Sequence, residues 1–207
     1  MLALQASQLC NEAITHHFAA VCVPPLFVKQ CRQLLIGSTV KVATVIGFPF
    51  GYCAIEAKIA EILLAMVDGA DELDMVVNFT AIKNNDWEYV ANEINHVMPL
   101  IGSHQKVLKV IIESGVLTNE EIIKCCELYS AAGVHFMKTS TGYADKGPSV
   151  EAVQLMRRHL PDHIQIKASG GIRDFAFANA LIAAGATRLG TSGGIAIVSG
   201  QNNNSNY

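Results

Sequence analysis

The chain has 207 residues, a formal net charge of -3 and 51% apolar residues, with a mean hydropathy of +0.31. This size and polarity predict one compact domain with a sizeable core, and the lack of any basic block excludes an electrostatic footprint for nucleic acid. No apolar run reaches the length of a membrane span, and the first ten residues lack the charged start and apolar stretch of a signal peptide.

Read in chain order, residues 5–17 predict a helix from the spacing of Leu9, Ala13 and Ile14. Residues 19–23 are a short apolar strand stopped by Pro24 and Pro25. A helix over 26–36 ends at Gly37, a strand follows over 41–46, and Gly47-Phe-Pro-Phe-Gly51 forms a loop. Helix 56–68, strand 72–77, helix 86–100 and strand 106–112 come next. Thr118, with Glu121 three residues on, marks a capping box for a helix that runs to 132 and stops at Gly133. Residues 134–142 read as a strand that ends in hydroxyls and a glycine. Helix 149–160 closes at Pro161, strand 164–168 leads into Ser-Gly-Gly, and Asp174 caps a helix that ends before Gly185. The last strand is 188–190, followed by Thr-Ser-Gly-Gly and a small helix over 195–198.

Short apolar strands alternating with helices predict an α/β fold with a parallel sheet. Seven strands are readable. A doubly wound sheet and a (β/α)8 TIM barrel lacking its first strand both fit. The absence of a G-x-G-x-x-G after any strand argues against the first, and the glycines after the last two strands argue for the barrel, where a phosphate is often held. The expected organisation is a single domain over 1–199 and a polar mobile tail over 200–207.

The six cysteines form no C-x-x-C pair, which suggests reduced thiols and a cytoplasmic setting rather than a disulfide framework. The seven histidines show no metal spacing, since His159 and His163 are separated by Pro161. No metal and no cofactor are expected.

Side chains alternate along a strand. Asp74 is thereby set opposite Leu73 and Met75, Lys109 opposite Leu108 and Val110, Lys138 opposite Met137, and Lys167 opposite Ile166 and Ala168. The purely apolar sets should pack on the helices, so the charged sets face the barrel interior. Lys109, Lys138 and Lys167 are spaced 29 residues apart, one strand-helix unit each. A lone lysine such as Lys138 is readily explained by snorkelling to the strand end. Three converging on one carboxylate form either a structural ion network or a reactive amine, because neighbouring positive charge lowers an amine's pKa and a free amine attacks carbonyls. The carboxylate would then move protons. Ser169-Gly170-Gly171 and Gly190-Thr-Ser192-Gly193-Gly194 follow the last two strands, and together they suggest backbone N–H groups gripping a phosphate. The chemistry this predicts is iminium formation with a phosphorylated aldehyde or ketose.

At these residues the chain resembles the deoxyribose-phosphate aldolase family. The similarity lies in Val-Ile-Gly-Phe-Pro (45–49), Glu-Leu-Asp-Met-Val-Val-Asn (72–78), Lys-Val-Leu-Lys-Val-Ile-Ile-Glu (106–113), Lys-Thr-Ser-Thr-Gly (138–142), Lys-Ala-Ser-Gly-Gly-Ile-Arg (167–173) and Gly-Thr-Ser (190–192). The resemblance implies a metal-free class I aldolase that cleaves 2-deoxy-D-ribose 5-phosphate to acetaldehyde and D-glyceraldehyde 3-phosphate, in deoxyribonucleoside catabolism. It implies Lys138 as Schiff-base nucleophile, Lys167 as the lysine that depresses its pKa and relays protons, Asp74 as proton donor and acceptor, and Lys109 in support. Gly142, Gly170, Gly171, Gly190, Ser192 and Gly193 match the phosphate-binding loops.

Two departures stand out. Relatives begin with a strand carrying an Asp-His-Thr-like segment, which would precede Met1, so an open barrel is expected between strands 19–23 and 188–190. A homodimer or a rearranged N-terminus would cover those edges. Gly193 also stands where relatives carry Ser. Tyr207 corresponds to a tail tyrosine that reaches the site in some relatives. The competing expectations are another Schiff-base sugar-phosphate aldolase, which the lysine pair argues against, and a non-catalytic relative that only binds sugar phosphate.

Overall fold

A computed structural model describes residues 1–200 of the chain. The tail expected over 200–207, Tyr207 included, falls outside the described residues apart from Gly200. Seven strands, β1 (Ala20–Val23), β2 (Lys41–Ile46), β3 (Glu72–Val76), β4 (Val107–Ile111), β5 (Phe136–Lys138), β6 (Gln165–Ser169) and β7 (Arg188–Gly190), form one parallel sheet in sequential order. A doubly wound sheet would reverse its strand order at a switch point; this sheet never reverses.

The helices are α1 (Ala3–Thr15), α2 (Val28–Leu34), α3 (Ile55–Val67), α4 (Phe79–Lys83), α5 (Trp87–Ser103), α6 (Asn119–Ala132), α7 (Val150–His159), α8 (Phe175–Ala183) and α9 (Gly194–Val198). Thr118 and Glu121 make the expected capping box, and Gly133 closes α6 at φ 72°. Ser149 and Asp174 cap α7 and α8 through their side-chain oxygens. The short α4 was not expected; Asn78 starts it by accepting the Ala81 N–H. Helix α5 runs past Pro99 to Ser103, and Val97 and Ile101 on either side of the proline are fully buried. Packing there offsets the backbone hydrogen bond that proline removes.

The core lies between sheet and helices. Leu73, Met75, Leu108, Val110, Met137, Ile166 and Ala168 join it with helix residues such as Ile62, Ile94 and Tyr129. Ala43, Val76, Ile111 and Phe136 are buried but lie outside that cluster, as expected of the opposite sheet face.

The sheet is strongly curled. Strands lie about 4.8 Å apart, so on a flat sheet β3 and β6 would be about 14 Å apart. Instead Lys167 of β6 meets Asp74 of β3 at 2.7 Å, and Arg188 of β7 reaches Glu72 of β3 at 3.4 Å. Phe18, before β1, also packs on Gly194, after β7. Among the described residues β1 and β7 do not pair with each other, so the barrel is open along that line. No described helix is long and apolar enough to cross a membrane.

Candidate active site

Curling turns one face of each strand into a shared interior. The register sets Asp74 beside Lys109 and Lys138 beside Lys167. Asp74 is fully buried, and each of its oxygens is claimed. Oδ1 accepts from Lys109 Nζ at 2.7 Å. Oδ2 accepts from both Lys138 Nζ at 2.8 Å and Lys167 Nζ at 2.7 Å. The four residues that strand parity singled out are therefore in direct contact.

The electrostatics follow from this geometry. Burial pushes the Asp74 carboxyl up, but the Lys138, Lys167 and Lys109 ammonium groups together hold it well below the usual carboxylate range. For Lys167, burial pulls the ammonium down, while Asp74 together with Cys22 and Glu72 offsets this and raises the group above an ordinary lysine.

Two charged residues that the sequence reading did not single out complete the cluster. Glu72 pairs with Lys109 at 2.7 Å and with Arg188 at 3.4 Å. Both Lys109 and Arg188 sit over the Phe136 ring, at 5.9 and 5.6 Å. Four basic side chains, Lys109, Lys138, Lys167 and Arg188, therefore meet the two carboxylates Asp74 and Glu72. The available signal was register: Glu72 shares the face of Asp74, and Arg188 pairs with Lys167.

The glycines at the C-terminal strand ends have distinct reasons to be glycine. Gly142 and Gly170 both adopt φ 93°, and Gly171 adopts φ 68°, a region costly for other residues. A Cβ on Gly170 would lie 3.2 Å from Gly142 Cα, so the loops after β5 and β6 touch through backbone. Gly190 makes room for a neighbour: a Cβ there would lie 3.0 Å from Lys167 Cε. Ser192 is exposed at this end. The Gly193 N–H donates to Thr191 Oγ1 at 2.9 Å and is already engaged. Glu113, just past β4, accepts from both the N–H and the hydroxyl of Thr141 and so ties the β4 and β5 loops together. Ser140 Oγ and Glu113 Oε1 are buried at this same end without a partner among the described residues.

Residues 2–203 match the model of the DeoC/LacD family of aldolases. The chain belongs to this family. Deoxyribose-phosphate aldolase 1 of Mesoplasma florum is 45% identical over 203 residues, covering 98% of this chain and 91% of that protein. Deoxyribose-phosphate aldolase of Thermococcus gammatolerans is 48% identical, covering 95% of this chain and 88% of its own. Among solved structures, deoxyribose phosphate aldolase from Aeropyrum pernix, described as a unique tetramer, superimposes with a TM-score of 0.89 at 29% identity and covers 96% of this chain and 84% of that one. The family resemblance read from the motifs therefore holds over nearly the whole chain, and the curled parallel sheet is the family's architecture.

Proposed function

We infer that this chain is a deoxyribose-phosphate aldolase that cleaves 2-deoxy-D-ribose 5-phosphate to acetaldehyde and D-glyceraldehyde 3-phosphate through a lysine Schiff base. The observation that carries this reading is the single carboxylate oxygen, Asp74 Oδ2, shared by two buried lysines. Two ammonium groups on one oxygen repel each other, and Lys167, raised by Asp74, retains its charge. Lys138, the first residue of the Lys-Thr-Ser-Thr-Gly motif, is the amine assigned to attack.

In this mechanism Lys138 Nζ adds to C1 of the open-chain sugar, and loss of water leaves an iminium. The iminium accepts the electrons of the C2–C3 bond as the C3 hydroxyl loses its proton. Glyceraldehyde 3-phosphate departs and an enamine remains on Lys138. Protonation at C2 and hydrolysis release acetaldehyde. Asp74, 2.8 Å from Lys138 Nζ, and Lys167, 2.7 Å from Asp74, carry these protons. Lys109 holds Asp74 in place through Oδ1. Gly142, Gly170, Gly171, Gly190 and Ser192 are proposed to hold the phosphate; Gly193, whose N–H already donates to Thr191 Oγ1, is left out of that set. All six cysteines are free, which supports a cytoplasmic setting, and self-association belongs to the same reading by analogy with the Aeropyrum pernix protein.

The test is reductive trapping. Borohydride with acetaldehyde should leave one ethyl group on Lys138, detected by peptide mass spectrometry and lost in Lys138→Ala. Retro-aldol turnover of deoxyribose 5-phosphate should vanish with it. A folded protein that yields no adduct would sink the assignment.

A further inference from the structure

The charged interior opens toward the C-terminal ends of the strands, and an aromatic contact crosses that end. Phe48, in the loop after β2, meets Tyr143, in the loop after β5, with ring centroids 5.3 Å apart and planes at 83°. This is edge-to-face geometry, favourable between aromatic rings. Strands β3 and β4 lie between the two loops, so the contact spans the C-terminal ends of the two strands in whose middle Asp74 and Lys109 stand.

Both rings are seated from below. Gly51 closes the Phe48 turn by donating to Gly47 O at 2.7 Å and packs directly on β3, since a Cβ at Gly51 would lie 2.0 Å from the Val77 carbonyl oxygen. The Gly47 N–H donates to Glu61 at 2.7 Å. On the other side, the Tyr143 N–H donates to Thr141 Oγ1 at 3.1 Å, and Thr141 is clamped by Glu113. The two loops are held by these polar anchors; Phe48 is half-buried, whereas Tyr143 is 71% exposed.

We propose that Phe48 and Tyr143 form the wall that restricts the carbonyl donor to acetaldehyde, excluding donors with longer carbon chains. The proposal rests on the aldolase reading. There the glycine loops after β6 and β7 take the phosphate and Lys138 of β5 takes C1. The C1–C2 end then faces the remaining side, over β3 and β4, where the aromatic pair closes the space. A donor one methylene longer would have to displace a ring.

The experiment compares acetaldehyde with propanal as donors in aldol addition to D-glyceraldehyde 3-phosphate, scored as the ratio of their kcat/KM values. One methylene in a shaped apolar pocket changes discrimination by about 10- to 200-fold, so Phe48→Ala should raise the propanal/acetaldehyde ratio by at least about tenfold. Tyr143→Ala should move it in the same direction, and Tyr143→Phe, which keeps the ring, should retain the original ratio. An unchanged ratio in folded, active Phe48→Ala and Tyr143→Ala overturns the proposal. If Phe48→Ala does not fold, Tyr143→Ala at its exposed position decides alone. Failure of the underlying aldolase reading has a different signature: the unsubstituted protein then shows neither turnover nor a Lys138 adduct, and the proposal falls with it.

Discussion

Lys167 and Lys138 occupy neighbouring positions on adjacent strands and share one acceptor oxygen, yet their proposed tasks differ. One must stay charged so that the other can be neutral. Replacing Lys167 with Leu keeps most of the apolar stem and removes the charge. We predict that Lys167→Leu folds but either loses turnover or moves the optimum of kcat/KM to higher pH, because Lys138 then surrenders its proton less readily. The pH–rate profile is the measurement. An unaltered profile would remove Lys167 from the chemistry. Asp74 is the residue the cluster tolerates losing least. Without it three buried lysines face each other with only Glu72 nearby, a loss of the kind that costs about 3–5 kcal/mol when a buried pair is broken.

At the scale of elements, the β2–α3 loop is positioned by a second buried ion pair away from the reaction. Lys58 of α3 and Glu93 of α5 are both fully buried, with Nζ and Oε1 2.5 Å apart. Lys58 also donates to the Val76 carbonyl at 2.8 Å. A Cβ on Gly47 would lie 2.9 Å from Lys58 Cε, so the turn that carries Phe48 rests on this side chain. Burial raises the Glu93 carboxyl despite Lys58, and its Oε2 has no partner among the described residues. The pair therefore positions backbone more than it stabilises the fold. We expect Glu93→Gln to destabilise the protein by about 3–5 kcal/mol, because it leaves Lys58 buried without a counter-charge. The double replacement Lys58→Met with Glu93→Leu should recover most of that loss. Urea unfolding of the two variants checks both statements; equal losses would show that the charge imbalance is not the cause.

For the whole molecule, the buried cluster predicts how stability responds to pH. Asp74 has a depressed folded pKa, so it contributes stability above its unfolded value, near 3.8, and that contribution is lost as pH falls through the folded value. Lys167 has a raised folded pKa, so its contribution is complete below its unfolded value, near 10.5, and is lost as pH rises through the folded value. Between these limits the contributions of Asp74 and Lys167 should be flat. Denaturant titrations across pH should show both arms, and Lys167→Leu should lack the alkaline one.

How much of this was legible in the sequence depended on range. The seven strands and most helices follow from local periodicity, and the capping box at Thr118 was correctly placed because it involves residues three apart. Helix α4 was missed because five residues are too few to display a period. The lysines were legible because strand parity and even spacing put them on one face. Arg188 and Glu72 were not, although they share that face, because their contact joins β3 to β7 and exists only once the sheet curls. The Phe48–Tyr143 contact has the same character.

The sequence by itself determined which residues face inward, since side-chain direction alternates with each residue of a strand whatever the strand's neighbours. It also determined the family, through motifs spread along nearly the whole chain. Only the tertiary structure decided which of the inward groups touch, which oxygen of Asp74 serves which lysine, and why Gly190 must be small. Those outcomes depend on curvature, which brings strands far apart in the sheet within the reach of a lysine.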